Sequence, residues 1–406
     1  MAGSPKELEP LFTPLKLGGG AVELRNRIVM SALTRDRSVP TNVPNRVNLE
    51  YYQQRAAGGA GLIVTEGTLI TQQGTEWQHA PGIWNEEQVA AWKKITEAVH
   101  AQGGKIFCQL WHLGRVNHPD APEQKAAGIP VYAPSAIAAR GGKFRFLPGA
   151  PGYQQPTEVP ESYISVIIDQ YRKAAVNAKE AGFDGVELHG ANGYLVQQFL
   201  DSTSNQRSAP YGGSPEARSK FGLDILKILV EVWGAGKVAV KLNPCGGYND
   251  MGMPLDETLK TYGHFITEAD KLGLAYICLV RYAAKLDATF DGKKRATEHD
   301  VVASYGPLLK NTPLILNADV SPAEAATLIT STDSTKKIAG GVFGWLFISN
   351  PDLVKRLEQG VPLNFDVNVQ HLYGGQAHGG EGDAEKWIDA QREGYSDYPF
   401  ATDVKL

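Results

Sequence analysis

FDGVELHGANGYLVQQFL (183–200) passes from a short apolar run, through a polar turn, into a helical pattern. A short apolar run with glycine nearby and a longer periodic segment behind it reads as a strand feeding a helix. Gly182, just upstream, sits where a preceding helix should stop, a position that favours a residue free to adopt the left-handed conformation. The same unit recurs along the chain. Strand candidates are 27–33, 61–67, 104–111, 183–189, 237–243, 274–280, 313–319 and 338–345, and helical patterns lie between them and after the last. Gly273 repeats the stop signal, Ser321-Pro322 reads as a helix opening, and Pro351 suits a first helical turn after Asn350. The strands are apolar at consecutive positions, which suits a parallel sheet covered on both faces. Eight such units with no second compact block predict an α/β fold: a single (β/α)8 (TIM) barrel domain over 1–406. A doubly wound sheet would show a glycine-rich turn after its first strand, and SALTRDRS (31–38) is no such turn. The stretch 112–158 is too long for a simple βα loop and is expected to form a lid or hairpin over the barrel mouth, after the third strand.

The bulk properties agree with a large buried core: 406 residues, 42% hydrophobic and 21% charged. A net charge of −4 and a pI near 6.2 give no electrostatic reason to expect nucleic acid or an anionic membrane as partner. No apolar run approaches the roughly 20 residues of a membrane span. The opening MAGSPKELEPLF lacks the apolar stretch of a signal peptide, so a cytoplasmic protein is expected. Cys108, Cys245 and Cys278 show neither CxxC nor metal-ligand spacing and read as reduced, mostly buried thiols.

Barrel sites form at the C-terminal strand ends. That rule selects Thr34 and Arg35; Thr65, Glu66 and Gly67; Gln109 and Trp111; Glu187, His189, Asn192 and Tyr194; Lys241 and Asn243; Arg281 and Tyr282; Asn317 and Asp319; Gly344 and Trp345. Such a set of donors and aromatic faces suits a planar polar ligand. His189 and Asn192 can both donate, and a donor pair can hold a carbonyl oxygen and stabilise charge developing on it. Tyr194 has a hydroxyl able to transfer a proton. The plain alternative is a capped loop ahead of GYLVQQFL, with His189 satisfied by backbone. His112 and His118 come with no HxH, HExxH or three-ligand cluster, so no metal is expected. Glu66 and Glu187 are the conceivable carboxylate pair of a glycosidase, but Glu187 is expected to alternate away from His189.

The chain resembles the Old Yellow Enzyme family of flavin-dependent ene-reductases over essentially its full length. The matching words are ALTRDRS (32–38), IVTEGT (63–68), QLWHLGR (109–115), APSAI (133–137), HGANGYLVQQFLDSTSNQRSAPYGGS (189–214), FISNPDLVKRL (347–357) and GYSDYP (394–399). The resemblance implies one FMN over the barrel mouth, reduced by NAD(P)H and passing hydride to the β-carbon of an unsaturated carbonyl compound. His189 and Asn192 match the pair that binds the substrate oxygen, and Tyr194 the proton donor to the α-carbon. Ala32, Leu33, Thr34, Gly67 and Gln109 match flavin contacts. Trp111 and Tyr373 match the walls of the substrate pocket.

Three places depart from the family pattern, all on the cofactor. Lys241 stands where an arginine faces the flavin pyrimidine, keeping the charge and losing the planar fork. Asn317-Ala318-Asp319 replaces two glycines and an asparagine at the phosphate, and Gly344-Trp345 replaces Gly-Arg. Losing one charged contact to a phosphate costs roughly 1.5–3 kcal/mol, about one to two decades of affinity. Two chemistries therefore stand: FMN-mediated ene-reduction in secondary metabolism, and a flavin-independent epimerisation, isomerisation or cyclisation at the α-carbon of a carbonyl-containing natural product by the same His/Asn/Tyr site. The lid residues Arg145 and Phe146 point to a substrate larger than a simple enone.

Overall fold

The computed structural model describes residues 3–374 and 382–402. Eight parallel strands form the barrel: β1 (Ile28–Met30), β2 (Leu62–Val64), β3 (Ile106–Trp111), β4 (Gly185–Gly190), β5 (Val238–Leu242), β6 (Tyr276–Val280), β7 (Leu314–Asn317) and β8 (Gly340–Phe343). Each pairs with its sequence neighbour, β8 pairs with β1, and the cylinder is closed. Nearly every strand residue is buried, because one face lines the barrel and the other meets the helices. This is why the runs read as continuously apolar.

The outer helices are α1 (Arg46–Ala57), α2 (Glu86–Ala101), α3 (Glu161–Glu180), α4 (Pro215–Trp233), α5 (Leu255–Asp270), α6 (Val301–Tyr305), α7 (Pro322–Ile329) and α8 (Leu353–Gln359). Asn45 and Asn85 close capping boxes with Asn48 and Gln88, and Ser214 and Ser321 cap α4 and α7, each cap worth about 1 kcal/mol. Gly182 and Gly273 follow α3 and α5 with φ of +81° and +68°, the left-handed exits anticipated from the sequence. Pro351 corrects one expectation. It lies outside α8, whose N-cap is Asp352. The buried Asp352 carboxylate accepts from Arg356 (2.6 Å) and from the Ala401 N–H (2.8 Å), so the helix begins where its own salt bridge can close.

A hairpin of Leu15–Leu17 with Val22–Leu24 plugs the barrel end opposite the mouth. Its four buried aliphatics pack with Val29, Leu62, Val64, Phe107, Tyr276 and Ile315. Each plug strand alternates buried, exposed, buried around Lys16 or Glu23, so it shows no continuous apolar run and the sequence reading passed over it.

The excursion at 112–158 carries helix Pro122–Ala127 and a two-residue pairing, Tyr132–Ala133 with Thr157–Glu158, which runs parallel. The hairpin expectation is thus corrected: the chain travels out and returns before pairing, so the two pieces align in the same direction. Between them, Phe144 and Tyr153 pack with Trp111 and Tyr194. All three cysteines are buried free thiols. Burial pushes Cys108 up to about 12 and Cys245 to about 11, which keeps both as thiols. Among the described residues no helix is long and apolar enough to cross a membrane, and no cluster of side chains has metal-ligand geometry.

Candidate active site

His189 stands near the C-terminal end of β4, and the β4–β5 register sets it directly opposite Lys241. Its Nδ1 accepts the Ala191 N–H at 3.3 Å, which leaves the ring proton on Nε2. Burial, then the Lys241 charge, hold its pKa well below the usual histidine value, so the ring is a neutral donor. Nε2 has no protein partner among the described residues.

Asn192 adopts a left-handed conformation (φ 55°) in the turn after β4. Its Oδ1 accepts from Asn243 (3.4 Å) and its backbone carbonyl from Asn249 Nδ2 (2.9 Å), leaving the side-chain NH2 to donate elsewhere. Gly193 is required by contact as well as by its φ of +78°: a Cβ there would lie 2.5 Å from Asn249 Cβ and 3.0 Å from the Tyr248 carbonyl. The next residue, Tyr194, is 5% exposed, with its ring edge-on to Trp111 (4.9 Å between centroids) and to His189 (4.8 Å). Burial raises its pKa well above the tyrosine value, with Tyr248, Glu76 and Tyr373 adding to the effect and a hydrogen bond from Asn249 opposing it. Tyr194 is therefore a neutral phenol at neutral pH.

These three residues line a cavity of about 260 Å³ together with Ala32, Leu33, Thr34, Gly67, Gln109, Trp111, Lys241, Trp345 and Tyr373. The remaining sequence-selected cofactor residues, Asp319 and Gly344, line an adjoining cavity of about 560 Å³ that shares Ala32, Leu33, Asn192, Lys241 and Trp345. The barrel thus brings the catalytic, cofactor and substrate-pocket candidates onto one continuous recess, while Thr65, Glu66, Glu187, Asn243, Arg281 and Tyr282 line neither cavity. Trp77, Tyr248 and Leu286 also face it, and the sequence reading missed them. The doubled glycine of GGYND (246–250), with φ of +69° and +90°, was the available signal for a shaped loop at the mouth.

Other strand-end residues are structural. Glu66 accepts the backbone N–H groups of Arg35 (3.0 Å) and Asp36 (3.3 Å). Glu187 lies two residues from His189 and therefore points to the same, inner face, one layer deeper, which corrects the expectation that it alternates away. There it accepts from Gln109 Nε2 (2.7 Å) and from the Tyr276 hydroxyl (2.8 Å). The two carboxylates do not face each other across a cleft. Arg35 and Arg37 hold the C-terminal segment, donating to the carbonyls of Gly394 (2.6 Å) and Gln391 (2.8 Å), with Tyr395 stacked on Tyr51. Half of the ALTRDRS word is therefore a clamp rather than chemistry.

The ring end of the recess fits a flavin. Gly67 lets Trp111 approach so closely that a Cβ would meet its ring at 2.8 Å, and the buried Trp111 Nε1 lacks a partner. Lys241, 5% exposed, donates among the described residues only to Ser31 Oγ (3.3 Å). Gln109 spends its amide N–H on Glu187, which leaves Oε1 for a ring N–H. The tail end is less cationic. Arg281 is bound to Glu324 (2.6 and 3.1 Å) and to the Asp319 carbonyl, while Trp345 stands 45% exposed.

The sequence description of the NADH:flavin oxidoreductase / NADH oxidase family, whose cofactors are FMN and NAD(P)H, matches residues 10–364. The NADP-dependent oxidoreductase lnbE of Aspergillus flavus is 37% identical over 401 residues, 97% of each chain. The probable inactive reductase easA of Epichloe festucae var. lolii is 36% identical over 394 residues, 96% of this chain and 95% of that one. The solved structure of the old yellow enzyme homologue from Zymomonas mobilis superposes with a TM-score of 0.82 at 34% identity, covering 96% of this chain and 99% of that one. With the closed barrel, the donor pair and the recess at the barrel mouth in place, these likenesses establish that the chain belongs to the NADH:flavin oxidoreductase / NADH oxidase family.

Proposed function

We propose that this protein is a cytosolic ene-reductase that uses FMN and NAD(P)H to reduce the C=C bond of an α,β-unsaturated carbonyl compound. The observation that carries this reading is the pair of donors left without an acceptor among the described residues, His189 Nε2–H and the Asn192 amide, set beside a protonated Tyr194 in the recess at the barrel mouth. Ala32, Leu33, Thr34, Gly67, Gln109 and Lys241 would hold the ring, and the cavity lined by Asp319, Gly344 and Trp345 would take the tail. When bound, FMN supplies a hydride acceptor for NAD(P)H and a hydride donor to the β-carbon.

The chain's own residues do the rest. His189 and Asn192 grip the substrate oxygen and stabilise the negative charge that builds there. Neutral His189 does so without transferring its proton. Tyr194 gives its phenolic proton to the α-carbon as the oxygen's charge collapses, and solvent restores it. Trp111 and Tyr373 wall the substrate, and Phe144 and Tyr153 screen Tyr194 from water.

One observation favours a second reading. Asp319 and Trp345 leave the tail end short of positive charge, and one of the relatives carries the description "probable inactive reductase". With the same donors holding and acidifying a carbonyl compound, water in the recess could take its α-proton and Tyr194 return one, with no net redox change, giving an epimerase or isomerase. Absorbance of the purified protein separates the two. Ene-reduction requires a bound flavin band that NADPH bleaches, and conversion of an enone with NADPH consumption. A protein that gains no flavin spectrum on FMN titration, yet incorporates deuterium from D2O at the α-carbon of a carbonyl ligand, would be the isomerase. Tyr194→Phe should abolish proton delivery in either case, by about 10²- to 10⁴-fold, and keep ligand binding.

A further inference from the structure

We infer that Lys285 is the residue that binds the phosphate of the flavin tail in this protein. The inference rests on the flavin reading above and names a ligand contact for which the sequence pattern provides no expectation. A flavin with its ring against Trp111 and Lys241 must send its tail into the adjoining cavity, because the two cavities are continuous there. The dianionic end needs a cation. Lys241 is buried at the ring end beside Ser31 and His189. Arg281 is engaged by both oxygens of Glu324 and by the Asp319 carbonyl, and its charge is further offset by the Asp319 carboxylate. Lys285 also lines the tail cavity, is exposed, and forms no salt bridge or hydrogen bond among the described residues.

Its ammonium stands 5.8 Å from the centre of the Trp345 ring. Trp345 therefore acts as a platform. Cation–π attraction holds the lysine over the tail cavity at a lower entropic cost than a freely swinging side chain would incur. A tryptophan on the chain segment after β8 and a lysine on the segment after β6 thus jointly supply a charge to the cavity, with the lysine as the binding group. An ammonium on a flexible stem also adapts to the Asp319 carboxylate nearby, since it can approach the phosphate from the side away from it.

The test compares FMN with riboflavin, which lacks the phosphate, by flavin-fluorescence titration of the intact protein. Lys285→Ala should weaken FMN about tenfold and leave riboflavin within about twofold. The loss should shrink in 0.5 M NaCl, because the site is exposed and screened. Lys285→Arg should restore FMN binding. Trp345→Ala should weaken FMN less than Lys285→Ala does. If Lys285→Ala weakens both flavins equally, or neither, Lys285 is not the phosphate ligand, while wild-type flavin binding would still support the ene-reductase reading. If the wild-type protein binds neither flavin, both the inference and that reading fall.

Discussion

His189 and Asn192 offer the most direct perturbation of the chemistry. Among the described residues, two N–H donors at the substrate end have no protein acceptor: Nε2 of His189, because Nδ1 is taken by Ala191, and the Asn192 amide, because its Oδ1 is turned to Asn243. A substrate carbonyl between them would accept both. In the ground state each hydrogen bond contributes about 1 kcal/mol, so the KM of an enone should rise about fivefold in His189→Ala. In the transition state, whether the step is hydride addition or α-proton removal, the oxygen carries developing charge. A preorganised donor is then worth about 2.7–4 kcal/mol, a factor of about 10²–10³ in kcat. His189→Ala and Asn192→Ala should each show this split between a small KM effect and a large kcat effect. The double variant should lose less than the product of the two, because both act on one oxygen. His189→Asn keeps a donor and should recover part of the rate. The assay is steady-state turnover of an enone with NADPH, or deuterium incorporation where no NADPH is consumed. A loss of less than about threefold in kcat/KM in either single variant would refute the reasoning, since it would mean that the oxygen sits elsewhere.

Three further outcomes follow from the geometry. Gly193→Ala forces a left-handed residue against Asn249 and should destabilise the fold by about 2–4 kcal/mol in urea titration, while blunting substrate binding through the displaced Asn249–Asn192 contact; wild-type stability would contradict the 2.5 Å approach. Trp345→Arg combined with Asp319→Asn should raise FMN affinity at least tenfold with little change for riboflavin, and unchanged FMN affinity would show that these positions do not face the phosphate. His112 is buried against Gln73, and burial lowers its pKa to about 3. The unfolded chain takes up a proton near pH 6.5 and the native state does not, so this contribution to stability is intact above pH 6.5 and is lost as pH falls toward 3. Between pH 7 and 5 the wild type should lose about 2 kcal/mol more than His112→Gln, and equal slopes in denaturant titrations would overturn the assignment.

Much of this was legible in the chain. Each strand is a continuous apolar run because both of its faces are buried, and each exit glycine marks a φ that only glycine takes cheaply. Local signals of this kind survive in one dimension. The strand-end rule then placed His189, Asn192, Tyr194, Trp111 and Lys241 on one recess without reference to any contact between them. The lid's parallel pairing, the alternating strands of the plug and the true start of α8 left no such local signature.

What folding added lies in contacts between segments far apart in sequence. Tyr194 could be named as a proton donor from its place after β4. That it stays protonated depends on burial and on Tyr248, Glu76 and Tyr373, which come from three other stretches of the chain. The His189 proton sits on Nε2 because a local turn presents the Ala191 N–H, and the ring is neutral because the barrel buries it and, further, because the β4–β5 register sets Lys241 opposite it. The Asn192 amide is oriented by Asn243 and Asn249, and Lys285 reaches the tail cavity only because the barrel brings the β6 and β8 exits together. Periodicity records which face of a segment is buried; it carries no record of the neighbour across the barrel, and that neighbour sets the tautomer, the charge state and the ligand's contacts.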